Sequence, residues 1–200
     1  MIFVWIIVIL VVLLIGYAVI TYNRLVSMRN RIENAWAQID VQLKRRYDLI
    51  PNLVETVKGY AAHERETLEN VVKARNMAMN AQGPQDQAAA ENMITGALKS
   101  VFALQEAYPD LKANQNFLNL QEELTGTEGR IAYARQFYND SVYKYNTQIQ
   151  SVPSNIIANQ FSFDEREYFE VDEASRGNVQ VDFGTAPTAS TRPTNARIRT

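Results

Sequence analysis

From Met1 to Ile20 the chain carries no charge and almost nothing polar, and from Tyr22 onward apolar residues return every third or fourth position. These two patterns demand different surroundings. An unbroken apolar run at 1.5 Å per residue reaches about 30 Å as a helix, the thickness of a bilayer's hydrocarbon core. A cleaved signal peptide would need basic residues ahead of the run and small residues at the cut site, but only Met1 precedes it and Gly16-Tyr17-Ala18 is a poor cleavage signature. A buried core helix rarely extends this far without a polar face. The pattern predicts a retained transmembrane signal anchor over residues 1–21, with Trp5, Tyr17 and Tyr22 towards its ends, where amphipathic rings favour the interface. Arg24, Arg29 and Arg31 follow the run and no Lys or Arg comes before it, so the positive-inside rule predicts a cytoplasmic body and a short stub outside.

After the span, Leu25, Met28, Ile32, Trp36, Ile39, Leu43, Tyr47 and Ile50 form one helical stripe, continued in phase by Val54, Val57, Ala61, Leu68 and Val72. Pro51 interrupts it, removing a backbone donor and crowding the preceding turn. Unbroken phase favours a kink there; matched lengths on either side favour a tight turn between antiparallel helices. Gln82-Gly83-Pro84 stops that element and starts the next, predicted from about Gln85 to Ala107 with Met93, Ala97, Val101 and Leu104 buried. Tyr108-Pro109-Asp110 ends it. A last long helix begins near Asn114, and Phe117, Leu120, Leu124, Ile131, Tyr138, Val142, Tyr145, Ile149 and Val152 fit a coiled-coil-like heptad seam ending at Pro153. Gly126 and Gly129 weaken its middle by up to about 1 kcal/mol each relative to alanine.

The predicted fold is all-α: an N-terminal transmembrane helix followed by an antiparallel bundle of three to four long helices. The bundle should span residues 22–152. Residues 153–183 mix Phe161, Phe163, Tyr168 and Phe169 with many carboxylates and should form a short aromatic, acidic segment packed on the bundle. Residues 184–200, rich in Thr, Ala, Pro, Ser, Asn and Arg, read as a disordered tail.

Composition removes several function classes. The net charge of −2 gives no electrostatic case for nucleic-acid binding, and the absence of cysteine excludes disulfides, thiolate metal sites and thiol catalysis. His63-Glu64-Arg65-Glu66-Thr67 invites comparison with HExxH, but Thr67 stands where the second histidine belongs and His63 is the chain's one histidine. A di-iron Glu-x-x-His pattern fails because Tyr60 occupies the glutamate position. The pairs Glu122-Glu123 and Glu64-Glu66 read as solvated helix charge. No catalytic residue, cofactor or metal is predicted.

Two features remain as candidate interaction sites. Lys44-Arg45-Arg46 could meet anionic headgroups or an acidic partner, including the Asp164–Glu173 segment of another molecule. A continuous helix carries this run about 24 residues, roughly 36 Å, past the span, which favours an exposed face paired with Asp40 and Asp48. Trp36 lies on the apolar stripe and reads as core, or as part of a stripe that packs against a second copy. Bundle packing within one chain accounts for the long stripes as well as self-assembly does.

The stretch from Asn34 to Ala61, NAWAQIDVQLKRRYDLIPNLVETVKGYA, strongly resembles the LemA family. The likeness extends through His63-Glu64, the AYPDLKANQNFLNLQ stretch at 107–121, and the pairs Tyr138-Asn139 and Tyr145-Asn146. It covers roughly residues 20 to 170. It implies a membrane helix with an external N-terminus, an antiparallel cytoplasmic bundle at the bacterial inner membrane, and no established enzymatic activity. Family genes often lie near those of membrane proteases and TPM-domain proteins, which implies such partners. Gly129 departs from the family pattern, which has a polar residue there. The combined expectation is a non-enzymatic, single-pass scaffold that contacts the lipid bilayer and forms a homo-oligomer. An adaptor or regulator of a membrane protease and a metal-dependent membrane enzyme are the rival readings.

Overall fold

The structure, a computed structural model, describes residues 1–170, which are mostly helical with no strand among them. The predicted tail at 184–200, and the part of the aromatic segment beyond residue 170, lie outside the described residues. Helix α1 runs unbroken from Ile2 to Lys58, about 85 Å. Its first twenty residues are exposed almost throughout, as one helix long and apolar enough to cross a membrane. No helix boundary separates this apolar run from the bundle. From Thr21 onward one face goes under cover, and Leu25, Ile32, Ile39, Arg46 and Leu53 mark it at intervals of seven.

The helix passes through Pro51 and stops at Gly59, so the chain reverses eight residues later than a turn at the proline would place it. Proline has no N–H to offer the carbonyl of Tyr47, four residues earlier. The Arg75 side chain of the next helix supplies the missing donor: its Nε lies 2.8 Å from the Tyr47 carbonyl oxygen. A proline inside a packed helix is therefore matched by a specific residue on the neighbouring one. The turn at Gly59–Glu64 buries Ala61, and the backbone N–H of Ala61 donates to the Val57 carbonyl at 2.8 Å.

Helix α2 (Arg65–Met79) and helix α3 (Gly83–Ala103) form a hairpin. Gly83 turns it with φ at +85°, a left-handed conformation that glycine tolerates best, and Pro84 follows in the first turn of α3. The buried face of α3 is Ala90, Ile94, Leu98 and Val101, while Met93 is exposed. The predicted face was one position out of phase at Met93 because the 3.6-residue period admits neighbouring stripes in so alanine-rich a segment. The α-helix also ends earlier than predicted, passing into a 3-10 turn at Leu104–Glu106. Short α4 (Pro109–Lys112) leads to α5 (Gln115–Gln150), whose first turn is capped by Asn114 accepting from the Phe117 N–H at 2.9 Å. Phe117, Leu124, Ile131, Tyr138 and Tyr145 are its buried seam; Leu120 is half-buried and Val152, at the far end, is exposed. Helix α6 (Ser154–Gln160) and an extended segment at 163–169 complete the described chain.

The helix lengths dictate the packing. Helix α5, about 54 Å long, lies antiparallel to α1, with Arg46 facing Glu128 and Trp36 facing Tyr138. Helices α2 and α3 are only about 22 and 31 Å long, and they cover the half of this pair remote from the apolar N-terminal run. The half beside the apolar run is left with an open apolar groove. The extended segment fills it, burying Phe163 and Phe169. A Cβ on Gly83 would come 3.7 Å from Glu167, so the segment ends where the hairpin turn begins.

Candidate functional site

Arg46 sits at the heptad position otherwise held by Ile39 and Leu53, so helix geometry drives it into the core, where it is 3% exposed. An unpaired guanidinium there would be very costly, and two helices, α3 and α5, supply partners. Its Nη1 donates to Glu91 Oε2 of α3 at 2.9 Å and lies 2.8 Å from Glu128 of α5; its Nη2 donates to Thr95 Oγ1 at 2.8 Å. The Tyr47 hydroxyl donates to the other Glu91 oxygen and accepts from Gln87 Nε2 at 2.7 Å. Burial raises the pKa of the Glu91 carboxyl. Tyr47 is pushed far above its ordinary 10.0, chiefly by burial and then by the hydrogen bond to Glu91. Both terminal nitrogens of Arg46 and both oxygens of Glu91 are engaged inside the cluster, which suits a pin fixing the register of α1, α3 and α5.

The basic run therefore does not form a single surface. Lys44 and Arg45 face outward, Arg45 pairing with Glu123 at 2.6 Å, while Arg46 faces inward. The ion pairs of Arg45 and Arg46 reach to α3 and α5 in place of the expected Asp40 and Asp48. Trp36 is half-buried, its ring 5.5 Å from that of Tyr138 and 5.8 Å from that of Phe169. His63 is exposed in the turn after α1. Glu64 accepts from the Tyr108 hydroxyl at 3.1 Å, a bond that leads the rise in the Tyr108 pKa. Among the described residues no group of three His, Cys, Asp or Glu side chains is placed to hold a metal ion.

The second constellation grips the extended segment. The Asn146 amide donates to the Arg166 carbonyl and accepts from the Arg166 N–H, both at 2.9 Å. Asn139 does the same to Phe169, at 3.3 and 2.9 Å. The Tyr138 hydroxyl donates to the Glu167 carbonyl at 2.9 Å. The spacing is a matter of rise: seven helical residues advance about 10.5 Å, and three extended residues about 10 Å. Asparagines one heptad apart on α5 thus meet backbone groups three residues apart, each standing in for a strand partner. Arg135 and Arg29 cover the Phe169 and Phe163 rings at 5.1 and 5.6 Å. In the sequence, the signal for this grip is the seven-residue spacing of the Tyr-Asn pairs on the heptad helix, which the family likeness alone does not interpret.

A third feature is an open face between α1 and α5, lined by Ala37, Val41, Gly126, Gly129, Tyr133 and Ala134. Val41 and Tyr133 are exposed there. A Cβ at Gly126 or Gly129 would meet nothing within 4 Å, so packing inside the chain does not require glycine at either position.

The second part of α1, the short hairpin and the gripped segment lie within the region that matches the LemA family model, residues 35–183. The chain belongs to the LemA family. Among curated relatives, it is 28% identical to Protein LemA of Metamycoplasma hominis over 163 residues, covering 80% of this chain and 73% of that one. It is 26% identical to Magnetosome protein MamQ 2 of Paramagnetospirillum magneticum over 186 residues, covering 80% and 68%. It is 25% identical to Magnetosome protein MamQ of Magnetospirillum gryphiswaldense over 174 residues, covering 74% and 64%. With its exposed apolar helix, this is a membrane-associated, helical LemA-family protein.

Proposed function

We propose that this LemA-family protein is a non-enzymatic scaffold, anchored by residues 1–21 with its bundle in the cytoplasm, that assembles with further copies of itself on the membrane. The observation that carries the reading is the continuity of α1 from Ile2 to Lys58. A bundle held by an unbroken helix keeps a fixed attitude to the bilayer, so neighbouring copies meet along the same faces. The open α1–α5 face supports it. Two glycines that cost helix stability and fill no need inside the chain suit the close approach of another surface, with Val41 and Tyr133 as the exposed apolar contacts. Arg24, Arg29 and Arg31 support the cytoplasmic side.

The test is particle size of the full chain in gentle detergent, compared with Gly129→Leu and Gly126→Ala/Gly129→Ala. Both variants extend side chains into open space, so the bundle should keep its fold, and the double alanine variant should be more stable by about 1–2 kcal/mol from helix propensity. The native chain should form oligomers, and Gly129→Leu should shift them to monomer. A native particle that stays monomeric across a wide concentration range refutes the scaffold reading. Recovery of that monomer with a membrane protease in equal amount would favour the adaptor reading instead.

A further inference from the structure

We propose that the turn from α5 into α6, presenting Val152, Ile156 and Phe161, is a second membrane contact: an apolar foot set into the headgroup layer beside the emerging span. The three side chains are 79%, 64% and 54% exposed. Any one of them on a protein surface would be unremarkable. Their level along the molecule is what assigns them a partner. Helices α1 and α5 run antiparallel with Arg46 facing Glu128 and Trp36 facing Tyr138. Counting outward from those pairs in equal helical steps sets Gln150, the last residue of α5, level with about residue 24 of α1, where the apolar run has just ended.

Ring contacts fix the same level independently. Tyr22, two residues past Ile20, meets the Phe161 ring edge-on at 4.9 Å and the Phe163 ring at 5.6 Å. Thr21 and Leu25 are buried on that side of α1. Because α5 points back towards the span, its continuation past Gln150 faces the bilayer surface.

The charge pattern fits this position. From Tyr145 to Phe163 the chain has no charged residue, the longest such run after the opening one. Carboxylates resume at Asp164 and Glu165, where the chain climbs away from this end to meet Asn146 and then Asn139. An apolar surface without charge, continuous with a span and followed by acids only as the chain leaves, is suited to the headgroup and acyl boundary. It would also fix the tilt of the bundle at two points in place of one.

The inference rests on residues 1–21 as a span, and its test separates the two. The chain has no cysteine, so single Ile156→Cys, Val152→Cys, Leu10→Cys and Met77→Cys variants of the full chain can each carry one nitroxide. They are reconstituted in nanodiscs of zwitterionic and anionic phospholipid, and collision with oxygen is compared with collision with a water-soluble nickel chelate. The expected result is preference for oxygen at positions 10, 152 and 156 and preference for the chelate at exposed Met77 on α2. Chelate preference at 152 and 156, with oxygen preference at 10, overturns the foot and leaves the span. Chelate preference at 10 removes both. Shielding from both probes also overturns the foot: spin broadening relieved by unlabelled protein would identify a second copy as the cover, and shielding unchanged by dilution would identify residues 171–200.

Discussion

Replacing Asn146 by alanine removes both hydrogen bonds that hold Arg166 to α5 while leaving the helix itself intact. Each such bond contributes about 0.5–1.5 kcal/mol net, so the pair holds the extended segment by about 1–3 kcal/mol. At 1.4 kcal/mol per factor of ten, opening of the segment should become about 5- to 150-fold more frequent. The effect is local because the segment fills a groove beside α1 and α5 without carrying their seam. Amide hydrogen exchange is the direct assay. The Arg166 and Phe169 N–H groups lie outside any helix and owe their protection to Asn146 and Asn139. Arg166 should exchange faster by that factor in Asn146→Ala. Asn146→Asp retains an acceptor for the N–H but sets a carboxylate against the Arg166 carbonyl, so its Arg166 amide should exchange more slowly than the alanine variant's. Equal Arg166 exchange in the native chain and Asn146→Ala would show that apolar burial alone holds the segment, and the reasoning about matched helical and extended rise would fail.

Two further outcomes follow from the bundle's interior. Arg75→Ala should cost about 1–3 kcal/mol in urea unfolding by stranding the Tyr47 carbonyl, and adding Pro51→Ala, which restores the N–H four residues on, should recover much of it; additive losses in the double variant would refute the pairing. Because Tyr47's folded pKa is raised, its contribution is fully present below 10.0, the unfolded value, and is lost as pH rises from there towards the folded one. Thermal stability should therefore fall above pH 10, less steeply in Tyr47→Phe than in the native chain; identical slopes would place the loss elsewhere.

The long apolar opening of α1, the helical stripe of α1, the heptad seam of α5, the start of α5 near Asn114 and the Gly83-Pro84 start were legible from the sequence because each is a local property: hydrophobic length, helical period, or residues suited to a helix end. Membership of the LemA family was legible for a related reason, since its quoted stretches are contiguous. What stayed hidden depended on residues distant in the chain. Pro51 reads as a break until Arg75 is seen at the carbonyl it frees. Arg46 reads as one third of a surface patch until Glu91, Thr95 and Glu128 surround it, although its place seven residues after Ile39 already put it on the inner face. The role of Asn139 and Asn146 required knowing that α2 and α3 are too short to cover all of α1 and α5. Periodicity tells which face of a helix is apolar. Only the packed bundle decides what covers each stretch of that face, and where it stays open.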